Sequence, residues 1–79
     1  NAIELLPHNK FVTISFDRTI KIWDQISLAC IKTLDSHTDI VYGIAKIPNS
    51  NSMLTVSEDQ TIKCHDFVTY QLLYTLYYN

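Results

Sequence analysis

Glycine is nearly missing from this sequence: Gly43 is the one glycine in 79 residues. Proline occurs only as Pro7 and Pro48, cysteine only as Cys30 and Cys64, and tryptophan only as Trp23. So little glycine leaves no phosphate-cradling loop and no dinucleotide fingerprint, both of which need a close backbone approach, so no nucleotide enzyme and no cofactor are expected. Two cysteines make one bridge at most, which is not the dense framework of a small secreted scaffold. Both lie inside apolar runs, where free cysteine packs as a small hydrophobe; reduced and buried is the expectation, with an intracellular, cytoplasmic or nuclear location. An excess of basic residues is also missing: six Lys and Arg stand against eight Asp and Glu, a net charge of −2. That balance gives no electrostatic reason to bind nucleic acid or an anionic membrane directly. No apolar stretch approaches the roughly 20 residues a membrane-spanning helix needs. Nor does a basic segment followed by an apolar one open the chain, so neither membrane insertion nor a secretory signal is expected.

What is present is a folded composition, 47% hydrophobic and 18% charged, and a repeat. Shifted by 42 positions, residues 10–37 fall on residues 52–79 without a gap. Thr13, Ser15, Asp17, Thr19, Ile20, Lys21, Asp24, Thr33 and Leu34 meet identical residues at Thr55, Ser57, Asp59, Thr61, Ile62, Lys63, Asp66, Thr75 and Leu76. Most other pairs keep their character, as Phe11 with Met53 and Ile14 with Val56. Two units follow from this, residues 1–35 and 36–79.

Each unit reads as four short strands with turn chemistry between them. Lys10 to Ser15 and Ser52 to Ser57 are rich in β-branched and aromatic residues that suit a pleated, half-buried surface. Turn residues follow at Phe16-Asp17-Arg18 and Glu58-Asp59-Gln60, and then Thr19 to Trp23 and Thr61 to His65 alternate with period two. Leu28 to Leu34 and Tyr70 to Leu76 supply a further strand each, and Ala2 to Leu6 and Asp39 to Ile47 the first of each unit. Pro7 and Pro48 stop those first strands, because proline cannot donate to a ladder. No helical period occurs, and the fold class is all-β, built of hairpin-linked antiparallel sheets.

The block from Phe11 to the Trp23-Asp24 pair resembles the WD-repeat family of β-propellers. A hydroxyl-bearing strand (Thr13, Ser15), a turn Asp17, the strand Thr19-Ile20-Lys21-Ile22 and the closing pair stand in the family's order, and the second unit repeats them but closes with His65-Asp66. The 42-residue spacing falls within the family's repeat length. The resemblance implies two four-stranded blades of a propeller, incomplete as a closed ring. It also implies a hydrogen-bonded network in each blade. The second would use His37, Thr55 or Ser57, Asp59 and His65; the first would use Thr13 or Ser15, Asp17 and Trp23. Arg18, Gln60 and Ser36 stand where the family often has glycine; if the turns require a left-handed backbone at Arg18 or Gln60, it costs about 1 kcal/mol each.

Propellers close with 4–8 blades, so two blades are expected to belong to a longer chain or, in the alternative, to assemble with copies of themselves as three or four pairs. The uncharged, β-prone run Leu72 to Tyr78 would be sheltered in a closed ring and hazardous outside one.

Catalytic and metal-binding readings compete poorly. Ser36, His37 and Asp39 are neighbours in sequence, but nucleophilic triads are assembled by geometry rather than adjacency, and no nucleophile elbow accompanies Ser36. Cys30, His37, Cys64 and His65 match no zinc-ligand spacing. The expected function is a non-catalytic scaffold that shows its loop face to other proteins within a multiprotein complex. Phe16, Arg18, Asp39 and Glu58 are the candidate partner-binding residues. Aromatic burial habits weigh the other way for Phe16 and favour its tucking against a neighbouring blade. A propeller enzyme, or a ligand-binding propeller with charged side chains along its central channel near Val41 to Ala45, is the alternative.

Overall fold

The computed structural model describes residues 2–78; Asn1 and Asn79, the outer ends of the two expected units, lie outside the described residues. Eight strands follow one another: β1 (Ile3–Leu6), β2 (Lys10–Ile14), β3 (Ile20–Asp24), β4 (Cys30–Leu34), β5 (Val41–Lys46), β6 (Ser52–Ser57), β7 (Thr61–Asp66) and β8 (Leu72–Tyr77). They form two four-stranded sheets in the orders β1-β2-β3-β4 and β5-β6-β7-β8, every neighbouring pair antiparallel. Among the described residues there is no helix, and the two sheets do not close into a ring.

The sheets approach each other most closely along β1, β2 and β5. Between them lies one apolar core: Leu6, Val12, Ile20, Ile22 and Leu34 from the first sheet meet Val41, Ile44, Met53 and Phe67 from the second unit. Register explains the selection. Val12 opposes Ile22 and Ile14 opposes Ile20, which opposes Leu34, so alternate residues of three strands share one face. In the second sheet Lys46 opposes Met53, Met53 opposes His65, and Ile44 opposes Thr55, which places a different set of repeat positions inward. The inward set of the first sheet, Val12, Ile14, Ile20 and Ile22, corresponds under the 42-residue shift to Leu54, Val56, Ile62 and Cys64 on the far side of the second. Conversely, the inward Met53, Thr55 and His65 correspond to Phe11, Thr13 and Trp23, half-buried on the outer side of the first sheet. Each sheet thus offers one face that fits the other's opposite face, which is the geometry of stacked repeats.

Two sequence expectations change here. Cys64 is buried, but Cys30 is exposed, and both are free. Cys30 opens β4, the edge strand of its sheet, where only Leu34 reaches the core; an apolar run on an unpaired edge does not bury its residues. Phe16 does not tuck against the second sheet: it is 85% exposed. Residues 72–77 of the uncharged run form β8, the edge strand of the second sheet, with most of its side chains exposed.

Candidate functional site

All segments that join β2 to β3, β4 to β5 and β6 to β7 emerge at one end of the sheets, because the hairpins alternate ends. Beneath the last two lies a buried polar cluster. His37, in the β4–β5 segment, is almost wholly buried and reaches two elements at once. Its Nδ1 lies 2.9 Å from Asp59 Oδ2 and its Nε2 lies 2.7 Å from Thr55 Oγ1. A carboxylate only accepts, so Nδ1 carries the proton, and in the neutral ring Nε2 accepts from the Thr55 hydroxyl. Asp59 is held in turn by the backbone N–H groups of Thr38 (3.1 Å) and Thr61 (2.9 Å) and by the Thr61 hydroxyl. Partial burial pushes the Asp59 carboxyl up, but the hydrogen bonds from Thr61, His37 and Thr38 outweigh it and hold the carboxyl well below its ordinary range. Ser57 takes no part in binding His37; its hydroxyl donates to Asp39 O at 3.1 Å and accepts from Asp59 N at 3.0 Å.

His65 does not join this cluster. Thr55 is already engaged by His37, and His65 Nε2 instead lies 2.7 Å from Ser36 Oγ, while its Nδ1 has no partner. Burial first, then repulsion from His37 when that ring is protonated and from Lys63, push the His65 imidazole down to about 4, so it is neutral near pH 7. In the first sheet the same strand position is Trp23, whose indole N–H donates to Thr13 Oγ1 at 2.9 Å while its ring stacks on Phe11 at 6.2 Å. Asp17 there accepts from Thr19 N at 3.1 Å and from the Thr19 hydroxyl. Ser15 is half-buried beside the turn, where its Oγ accepts from Asp17 N at 3.2 Å.

Arg18 and Gln60 take left-handed backbone conformations, with φ of 74° and 69°. Leu28 and Tyr70 do so as well, 42 positions apart like the first pair, with φ of 63° and 67°. Asp24 and Asp66 cap the turns that follow β3 and β7: Asp24 Oδ1 accepts from Ile26 N and Ser27 N, and Asp66 Oδ1 from Val68 N and Thr69 N. This is why aspartate persists in both closing pairs while the residue before it changes. Sequence reasoning passed over these caps, over Thr61 and over the Ser36 hydroxyl, although the identities Asp24/Asp66 and Thr19/Thr61 were visible in the repeat.

The exposed surface of this end carries Phe16, Arg18, Asp39 and Glu58, all outside the strands. Between the sheets it opens a groove of about 330 Å³ lined by Ala2, Ile14, Ser15, Phe16, Val41 and Tyr42. Val41 to Ala45 carry no charged side chain. Ser36, His37 and Asp39 turn to three different partners: Ser36 to His65, His37 to Asp59 and Thr55, Asp39 Oδ1 to the Ile40 N–H. Among the described residues no three His, Cys, Asp or Glu side chains gather at a spacing that holds a metal ion.

A family model, WD40 (WD domain, G-beta repeat), matches residues 1–24 and 28–66. The chain belongs to the WD40 repeat family. Its two sheets are WD40 blades, and solved WD40 structures have the same fold. The WD40 β-propeller domain of Doa1 superposes with a TM-score of 0.79 at 33% identity, over 92% of this chain and 25% of its own. The structure of U3-55K superposes at 0.81 with 22% identity over 87% of this chain and 21% of its own. Among curated relatives, nuclear distribution protein PAC1 of Mycosarcoma maydis is 52% identical over 44 residues, 56% of this chain and 10% of its own length. The protein of the same name in Gibberella zeae is 44% identical over 63% of this chain and 11% of its own. A Dictyostelium discoideum protein named UDP-galactose:fucoside alpha-3-galactosyltransferase is 42% identical over 70% of this chain, and 8% of its own length is covered. The chain thus spans about a tenth of the curated relatives it matches.

Proposed function

We propose that these blades, residues 1–35 and 36–79, form part of a non-catalytic protein-interaction scaffold inside the cell, in the cytoplasm or nucleus, within a multiprotein complex. The observation that carries this reading is the exposed set Phe16, Arg18, Asp39 and Glu58 on loops tethered to two sheets and to the buried His37–Asp59 cluster. Loops fixed in this way lose little ordering entropy when a partner binds, which is how a rigid sheet framework contributes to affinity. The WD40 family assignment and the relatives named as nuclear distribution proteins support it. No helix of the described residues is long and apolar enough to cross a membrane. The remaining blades of a ring would come from a longer chain or from further copies, and the complementary outer faces of the two sheets fit either source.

Photo-crosslinking tests the reading. A benzophenone amino acid is placed at position 16, 39 or 58 of the full-length chain, and at 27 or 69 in turns at the opposite end. Crosslinks to other polypeptides from the first three positions are expected. Crosslinks only from 27 and 69 move the interface to the other face, and none from any position overturns the scaffold reading.

A further inference from the structure

We infer that the groove between the two blades receives a short segment of a partner protein in which an apolar side chain is flanked by basic residues. This rests on the scaffold reading and narrows it to one place and one chemistry. The groove walls are apolar: Ala2, Ile14 and Val41 form the sides, and the rings of Phe16 and Tyr42, 85% and 51% exposed, stand at the surface. Tyr42 contributes ring rather than a free hydroxyl, since its OH lies 2.7 Å from that of Tyr78, which donates to Ser57 O at 2.6 Å. About 330 Å³ is at the small end for a ligand pocket and suits one or two side chains of a polypeptide lying across the surface.

Charge decides what flanks those side chains. Five of the eight acidic residues, Asp17, Asp35, Asp39, Glu58 and Asp59, lie in the three segments at this end, whereas Arg18 is the one Lys or Arg among them. Lys10, Lys21, Lys32, Lys46 and Lys63 are all within strands. Asp59 is turned inward to His37, leaving Asp17, Asp35, Asp39 and Glu58 as exposed carboxylates. Carboxylates gathered at this end attract Lys and Arg and repel both an acidic segment and a nucleic acid. Apolar walls supply the anchor, and the acidic end supplies the selection.

The test uses three fluorescein-labelled hexapeptides and the full-length chain. One has Leu-Phe at its centre with two Lys or Arg residues on each side. The second replaces the flanks by Asp and Glu, and the third keeps the basic flanks around Gly-Ser. Anisotropy titrations at low and at 300 mM salt should show the basic Leu-Phe peptide binding at least tenfold more tightly than either other, and weakening severalfold as salt rises. Phe16→Ser and Asp39→Lys should each weaken it at least fivefold, with circular dichroism and the thermal midpoint unchanged. Equal binding of the basic and acidic peptides, or no loss in Phe16→Ser, overturns the inference. If no peptide binds but positions 16, 39 and 58 still crosslink to other proteins, this inference falls and the scaffold reading stands; if neither occurs, both fall.

Discussion

Ser36 Oγ lies 2.7 Å from His65 Nε2, so two residues that each depart from the repeat pattern, 29 positions apart, meet in one hydrogen bond. In the first blade Trp23 uses Thr13; in the second, Thr55 is held by His37, and the smaller His65 ring turns to Ser36. The two departures are thereby linked. Ser36→Gly alone orphans the second nitrogen of a ring whose Nδ1 is already unpartnered, at a cost of about 1–3 kcal/mol. His65→Trp alone forces a larger ring toward the Ser36 side chain, at a cost of about 1–3 kcal/mol. Made together, the two changes should cost less than their sum by about 1 kcal/mol or more. Denaturant midpoints of the full-length chain and its three variants check this, and simple additivity would show the contact to be energetically idle.

The same ring makes stability depend on pH. His65 is pushed down from an ordinary value near 6.5 to about 4, so the folded state holds its neutral form. The unfolded chain therefore binds more protons between these values, and the stability that neutral His65 contributes is complete above pH 6.5 and lost as pH falls toward 4. The span corresponds to on the order of 3 kcal/mol. The Asp59 carboxyl, held low by Thr61, His37 and Thr38 against its burial, adds a further loss only below its ordinary value near 3.8. His65→Phe should flatten the decline between pH 6.5 and 4 and leave the steeper fall at lower pH, as followed by denaturant titration across that range.

Much of this architecture was legible because the repeat is written twice. All eight strands were readable to within two residues from alternating β-branched runs between turn residues, and the WD-repeat frame came from Asp17, Trp23-Asp24 and their partners 42 positions on. What escaped was set by environment rather than type. Cys30 and Cys64 both sit in apolar runs, yet one opens an edge strand and the other lies in an inner strand, which no local pattern records. The turn from His65 to Ser36 depended on which hydroxyl was already taken by His37. Phe16 looked like a residue for burial, and only the placement of Val41 and Tyr42 shows that it stands over a groove.

Asp17 and Asp59 occupy the same repeat position but face different demands. Asp59 binds His37, Thr38 and Thr61, whereas Asp17 is exposed and serves only its own turn. Asp59→Ala should cost about 1–3 kcal/mol, because it removes the acceptor of a buried imidazole N–H. Asp17→Ala should cost less, and Asp59→Asn should recover part of the loss by still accepting from His37. Thermal midpoints of the full-length variants measured side by side give the order, and equal losses at 17 and 59 would remove the His37 contact from the explanation.

Gln60 tests whether the scarcity of glycine has an energetic consequence. Its φ of 69° lies where a Cβ crowds the backbone, at a cost of about 1–2 kcal/mol in an L-residue. Its side chain is exposed, while its backbone N–H donates to Ser57 O and its carbonyl accepts from Tyr78 N, bonds that glycine keeps. Gln60→Gly therefore relieves the strain and loses only the greater unfolded-state freedom of glycine, about 0.5–1 kcal/mol. The net expectation is a gain of roughly 0.5–1 kcal/mol, with Gln60→Ala close to neutral since alanine keeps the Cβ. The alanine comparison separates conformational relief from any loss of side-chain contact: a gain with glycine but not alanine locates the strain in the backbone. Equal midpoints for all three would mean that the turn accepts a left-handed glutamine without penalty.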